Sequence, residues 1–364
     1  MAPGVVACSR RRSAVWASIK DSADGFLVTA PANVRYLTGF TGTNGWLLLG
    51  AEGALFLTDP RYEQQAAEQL GDVPVVISPT GLHDALARAV RGHDLERIDF
   101  EAEHVTVALK EKLEASVEVK WVAASAAVET QRRRKDPDEV AAIRAALAVT
   151  EAALEEVVAA LTPGQTEIEV AADIERACRR RGATGMAFET IVASGQRCAL
   201  PHGVASTRCI EAGEPVMIDT GCTLDGYCSD LTRMIWCGGA PDRRWMEVHD
   251  LVDRARAAAL ATVGPGIAAV AVDAAARYVI NEGGCADAFT HGTGHGVGLE
   301  IHEAPKVSRH STDVLEAGMV LTIEPGVYLE GELGIRIEDL VRVTDEGCER
   351  LTTLGTEPML RGTA

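Results

Sequence analysis

The sequence has no run of about eighteen apolar residues, which excludes a membrane-spanning helix. Basic residues are scarce against acidic ones: 35 Lys+Arg face 53 Asp+Glu, for a formal net charge of −18. Such a chain repels nucleic acid and anionic membrane surfaces, so neither is expected as a partner. The nine cysteines form no C-x-x-C pair, which argues against a thiolate zinc finger. The N-terminal basic cluster follows the short apolar stretch, the reverse of a secretory signal. The cysteines therefore read as reduced thiols of a cytoplasmic protein, with Cys222, Cys228 and Cys237 as small buried hydrophobes rather than ligands. With 364 residues, 47% of them hydrophobic, the chain can build one large or two medium cores.

The first part alternates short apolar runs with helical segments. Residues 25–30, 45–50, 54–58, 73–78, 97–101 and 119–124 have strand length, and 61–70, 82–90 and 106–115 have helical composition. This predicts an α/β domain. The charged stretch "QRRRKDPDE" (131–139) reads as a linker or helix start. The Ala-rich segment 139–161 then predicts a long helix capped by Asp138. Further on, 162–183 aligns with 264–285 at an offset of 102, each copy a Pro-Gly turn, a helix and a glycine stop. That offset is too long for a solenoid and suggests two similar halves around a pseudo-two-fold.

The stretch "HGTGHGVGLEIHE" (291–303) sets His291 and His295 four apart, the spacing of a helical zinc pair. Gly292, Gly294, Gly296 and Gly298 each cost about 0.8–1 kcal/mol inside a helix, and position 292 lacks the Glu of the metalloprotease motif. The segment is therefore extended, with alternate glycines where other backbone comes close. His295 and His302 are candidate functional groups, with His291 just before them.

Carboxylates gather at the ends of apolar runs. In "VMIDTGCTLDGYCSDLTRMIW" (216–236), Asp219 and Asp230 flank a turn signal at Asp225-Gly226, so a hairpin is expected. Pairing the two directly needs a turn one step earlier, and a turn on Asp225-Gly226 shifts the register unless a bulge corrects it. Glu324 ends the run before Pro-Gly, and "GIRIEDLVRV" (334–343) reads as one strand with Arg336 and Glu338 on one face. Asp219, Asp230, His295, Glu324 and Glu338 form a hard, oxygen-rich set. It suits a pair of divalent ions such as Mn²⁺ or Co²⁺, with Zn²⁺ or Fe²⁺ possible, able to hold a bridging hydroxide and polarise a carbonyl.

Taken in order, "NVRYLTGFTGTNG", "LPHG", "IDTG", "GYCSDLTR", "HGTGHGVGLEIHE", "IEPGVY" and "IRIED" closely resemble the blocks of the pita-bread metallopeptidases, the proline-specific aminopeptidases and prolidases. The resemblance covers most of the chain. It implies an α/β creatinase-like N-terminal domain over 1–130 and an α+β pita-bread catalytic domain over 131–364, with the internal duplication. It implies that Asp219, Asp230, His295, Glu324 and Glu338 bind two metal ions, with Asp230 bridging and Glu324 also taking a proton from the attacking water. His202, His291 and His302 would line the substrate site, supported by Arg336 and Tyr328. The implied reaction is hydrolysis, by a metal-bridging hydroxide, of the bond between an N-terminal residue and a following proline. Mn²⁺ is the first expectation for the metal, and a homo-oligomer, dimeric or higher, is expected. An Xaa-Pro dipeptidase is the alternative. A metal-free creatinase-like hydrolase or an inactive scaffold would lack the ligand set. Two departures touch substrate preference: Met234 stands where the family often has Thr, and Arg197-Cys198 replaces a small polar pair.

Overall fold

The apolar runs of the N-terminal part pair into one mixed sheet. Its strands are β1 (Gly25–Val28), β2 (Gly45–Gly50), β3 (Gly53–Thr58), β4 (Val75–Ile77), β5 (Arg97–Glu101) and β6 (Lys120–Ala124), in the order β4-β3-β2-β1-β5-β6. The β1–β2 and β2–β3 pairs are antiparallel, while β1–β5, β3–β4 and β5–β6 are parallel. In this computed structural model, residues 5–361 are described. By internal contacts the chain divides at Arg132/Arg133 into two units.

Of the N-terminal helices, α3 (Glu63–Gln69), α4 (Leu82–Gly92) and α5 (Val107–Ser116) fall where helical spacing predicts them; α6 (Glu129–Arg132) is a single turn. The segments α1 (Val5–Ile19) and α2 (Pro31–Thr38) carried no helix expectation. α2 is short, opened by Pro31 and closed by Gly39 at φ 80°, so its own periodicity is brief. Its start is fixed by the buried Glu101, whose carboxylate accepts from the Thr29 and Ala30 amides at 2.6 and 2.8 Å and from Asn33 Nδ2 at 2.7 Å.

The second unit opens with α7 (Pro137–Ala160). Its cap is Asp136 rather than Asp138: Asp136 accepts from the amides of Asp138 and Glu139, and Glu139 closes a capping box. Pro137 takes the first helical position, where its missing N–H costs nothing. There follow α8 (Glu167–Arg180), β7 (Gly185–Met186), β8 (Ile191–Ser194), β9 (Glu214–Thr220), β10 (Cys222–Leu224), β11 (Tyr227–Cys228) and β12 (Leu231–Cys237). The second half holds α9 (Arg243–Thr262), α10 (Ala269–Glu282), β13 (Gly294–Gly296), β14 (Glu303–Val307), β15 (Val320–Ile323), β16 (Gly326–Leu329), β17 (Leu333–Arg336), β18 (Asp339–Thr344), β19 (Gly347–Arg350) and β20 (Met359–Arg361).

The duplication is visible in the elements. α8 and α10 begin and end at the offset of 102, as do the C-terminal ends of α7 and α9. It extends to single hydrogen bonds. Gly164 N donates to Ile210 O and Gly266 N to Leu315 O; Ile210 N donates to Gln165 O and Leu315 N to Ile267 O, all at 2.8 Å. Two antiparallel-cored sheets result, β20-β12-β9-β8 and β14-β13-β15-β18-β19. The α7/α8 pair and the α9/α10 pair cover them with cores around Ile143, Leu154 and Ile218 and around Val252, Ile280 and Leu321.

Candidate metal centre

The hairpin that carries the two aspartates turns on Asp225-Gly226, both at positive φ (48° and 81°), the pattern of a type I′ turn. Thr223 then faces Cys228, and Asp219 faces Thr232. Ser229 N donates to Cys222 O at 3.0 Å, so the register runs unbroken and places Asp230 across from Gly221. No bulge intervenes. The two aspartates are thus diagonal neighbours on one face, not directly opposed. Gly221 makes this possible: a Cβ there would lie 1.9 Å from Ser229 O.

Glu324 follows β15, and His295 sits in β13, extended as the glycines require. A Cβ at Gly294 would meet Thr322 O at 1.9 Å, so the neighbouring strand approaches where no side chain fits. The run 334–343 is not one strand. It breaks between β17 and β18, which belong to different sheets, and Glu338 occupies the break. Ile337 keeps the run apolar through the break, which hides it from a reading of periodicity.

These elements bring the acidic groups together. One carboxylate oxygen each of Asp219, Asp230 and Glu338 lie within 4.8 Å of one another. His295 Nε2 lies 3.5 Å from Asp230 Oδ2 and 3.4 Å from Glu324 Oε1. Burial, then the charges of Glu338, Asp219 and Glu324, pushes the Asp230 carboxyl well above the usual carboxylate range. Burial followed by Glu324 and Asp219 does the same to Glu338, and burial raises Glu324. Such a cluster needs protons or cations between its members.

The donor set fits divalent cations. Asp219 Oδ1 is buried without a hydrogen-bond partner. His295 Nδ1 lies 3.1 Å from Gly296 O, a carbonyl that can only accept, so Nδ1 carries the proton and Nε2 turns its lone pair to the carboxylates. Burial lowers the His295 pKa, which keeps the ring neutral. The nearby thiols take no part: Cys222 Sγ donates to Ala146 O at 3.3 Å, and burial pushes Cys228 up to about 11.

Around these side chains runs a hydrogen-bond network. The Arg336 guanidinium pairs with Asp219 rather than with Glu338. Its Nη1 donates to Tyr328 Oη at 2.8 Å and to Pro201 O at 2.9 Å. The Tyr328 hydroxyl, already an acceptor, donates to His291 Nε2 at 2.8 Å, while His291 Nδ1 donates to Gly292 O at 2.7 Å. Burial lowers the His291 and His302 pKa values and pushes Tyr328 up to about 12. His302 stacks edge-on against His295 with ring centroids 4.4 Å apart. His202 is exposed on the loop that follows the 3-10 turn Gly195–Ala199.

Three contributors escaped the sequence reading. Thr232 Oγ1 donates to Glu338 Oε2 at 2.9 Å and accepts from Arg336 Nε at 3.2 Å. Thr322 Oγ1 donates to Glu324 Oε1 at 3.1 Å and accepts from His295 N at 3.1 Å. Each stands two residues from a ligand candidate on the same strand face, which is the signal that could have found it. Lys135, from the stretch read as a linker, is buried and pairs with Glu303 at 2.7 Å, beside His302. Nothing in the local sequence marks it.

Asp219, Asp230 and Glu324 floor a cavity of about 440 Å³ walled by Phe188, Ile191, Pro201, His202, Val204 and Ile301. Its size suits a small peptide. Met234, Arg197 and Cys198, the residues of the two departures, lie off this wall. Met234 is in the core, Arg197 Nε pairs with Glu167 at 3.1 Å, and Cys198 Sγ donates to Ala193 O at 3.0 Å.

A two-half catalytic unit with an acidic, single-imidazole centre beneath a histidine-lined cavity defines the pita-bread class of hydrolases. Residues 141–345 match the model of metallopeptidase family M24, and residues 12–134 match that of the creatinase/prolidase N-terminal domain. The chain belongs to metallopeptidase family M24. It is 36% identical to an Xaa-Pro dipeptidase of Pyrococcus horikoshii over 308 residues, 84% of this chain and 86% of the relative. Among solved structures it is similar to an Xaa-Pro dipeptidase from Bacillus anthracis (TM-score 0.94, 36% identity, 97% of this chain and 100% of that one). An X-Pro aminopeptidase from Thermotoga maritima matches with TM-score 0.89 and 38% identity over 93% of this chain and 98% of that one.

Proposed function

We propose that this protein is an Xaa-Pro aminopeptidase, hydrolysing the bond between an N-terminal residue and a following proline. The observation that carries the proposal is the convergence of Asp219, Asp230, His295, Glu324 and Glu338 under one cavity, in a chain whose relatives include both an X-Pro aminopeptidase and Xaa-Pro dipeptidases. These five side chains would hold two divalent ions, Mn²⁺ in the first place and Co²⁺ or Zn²⁺ otherwise. When bound, the ions supply Lewis acidity toward the scissile carbonyl and toward water.

The side chains do the rest. Glu324, directly after β15, takes the proton of the attacking water and returns it toward the proline nitrogen. That nitrogen, in a tertiary amide, has no hydrogen of its own, so proton delivery is what frees the leaving group. His202, His291 and His302 are assigned to the scissile carbonyl and the proline residue. His291 is held neutral through Tyr328 and Arg336, so its orientation is set before substrate arrives. The function is assigned to residues 131–364, which hold every one of these groups. A reducing, cytoplasmic setting agrees with nine cysteines outside any disulfide, and a homo-oligomer remains part of the proposal.

A panel of Xaa-Pro dipeptides and Xaa-Pro-Xaa tripeptides, run with Mn²⁺, Co²⁺ and Zn²⁺, tests the assignment. Rapid tripeptide cleavage with release of the first residue is expected. Cleavage confined to dipeptides would move the protein to the dipeptidase reading, which the Bacillus and Pyrococcus relatives favour. No Xaa-Pro cleavage with any metal would remove both.

A further inference from the structure

Two buried carboxylates outside the metal centre hold the loops that carry His202 and His291. Glu167, at the start of α8, is fully buried. Its Oε1 accepts from Ser194 N at 2.8 Å and Ser194 Oγ at 2.7 Å, and its Oε2 from Ser206 N at 3.0 Å and Ser206 Oγ at 2.6 Å. Arg197 Nε reaches the same carboxylate at 3.1 Å while its Nη2 donates to Val204 O at 2.6 Å. One side chain thus ties both ends of the 194–206 loop, with His202 between them.

Asp273, on α10, does the equivalent in the other half, with its side chain 1% exposed. Its Oδ1 accepts from Thr293 N at 3.1 Å and Thr293 Oγ1 at 2.8 Å, and its Oδ2 from Arg277 Nε at 2.7 Å. Arg277 Nη1 donates to Phe289 O at 2.9 Å, its Nη2 to His291 O, and its guanidinium lies 4.1 Å from the Phe289 ring centroid. His291 is bracketed between Phe289 and Thr293, both fixed from α10.

Neither carboxylate is a member of the acidic cluster, and neither lines the cavity. Each sits on the helix that the duplication repeats at the offset of 102. A buried, fully bonded carboxylate is costly to keep as mere packing, since an apolar core would serve stability as well. We infer that Glu167 and Asp273 are positioning residues, each acting through one substrate-site histidine: Glu167 through His202 and Asp273 through His291. This rests on the proposed role of those histidines in peptide hydrolysis.

The test is a crossed double-mutant cycle on the full chain at saturating Mn²⁺, with kcat, KM, metal content and melting temperature measured for each variant. Glu167→Gln and Asp273→Asn should each lower kcat about tenfold to a hundredfold, as a displacement near 1 Å does, with metal content unchanged. In the His202→Ala background Glu167→Gln should cost nothing further, while Asp273→Asn keeps its full cost. The pattern should invert in the His291→Ala background, because residues acting through one group are not additive. Equal cost in both backgrounds, or loss of stability with kcat unmoved, overturns the inference and leaves a structural role. If His202→Ala and His291→Ala themselves turn over normally, the functional reading of the histidines fails, and this inference with it. Impaired histidine variants without selective coupling sink the inference alone. Should an amide variant fail to fold, Ser206→Ala and Thr293→Val each remove a single hydroxyl donor from the same carboxylate and take its place in the cycle.

Discussion

At the scale of single residues, charge decides. Asp230, Glu338 and Glu324 have raised carboxyl pKa values because they are buried beside one another. The metal-free folded state therefore keeps protons that the unfolded chain has released above about pH 4. The stability these three groups contribute is fully present at low pH and is lost as pH rises toward their folded-state values. Thermal melts of metal-stripped protein should show a melting temperature that declines from pH 5 to pH 8, and Asp230→Asn should flatten the decline while abolishing turnover. A stripped protein whose stability rises over that window would contradict the burial argument. His302 is held to differ in kind from His295. His302→Ala should retain metal by mass spectrometry yet lose about 10²–10³ in kcat, the range for a lost hydrogen bond to the reacting carbonyl. The charged members of the site were legible because each ends or interrupts an apolar run, where an ionised group is out of place. Thr232, Thr322 and Lys135 were not, since a hydroxyl in a strand or a lysine among arginines violates no local rule.

At the scale of elements, turns and close approaches set the geometry. The Asp-Gly turn was legible, but the consequence of its register was left open by the sequence. Only the constant register of the two strand pairs, down to Asp219 and Thr232, shows that the aspartates stand diagonally. The apparent strand through Glu338 shows the converse failure: continuous hydrophobicity says buried, not straight, so a change of sheet leaves no mark. α1 and α2 were missed for want of a clear apolar stripe, whereas α8 and α10 announced themselves by their Pro-Gly starts. Two substitutions probe this level by chemical denaturation. Asp136→Ala should cost about 1 kcal/mol through loss of the α7 cap, and Asp138→Ala should cost little. Gly294→Ala drives a Cβ against Thr322 O, so it should cost about 1–3 kcal/mol and weaken metal binding by shifting His295.

At the scale of the whole molecule, duplication and charge combine. The two halves of the second unit present equivalent sheets, and the carboxylates proposed as ligands lie at strand ends and in the break between two strands. No described helix is long and apolar enough to cross a membrane. The net charge of −18 favours cations over anions near the surface, in keeping with a site that concentrates carboxylates. Because ion binding to the folded form alone draws the equilibrium toward it, Mn²⁺ at a hundred times its dissociation constant should stabilise the protein by about 2.7 kcal/mol. The most direct measurement is anomalous scattering from a crystal of the stripped protein soaked in Mn²⁺. The account predicts two peaks enclosed by Asp219, Asp230, His295, Glu324 and Glu338. An empty cluster with those side chains apart, or manganese bound only elsewhere, would contradict it.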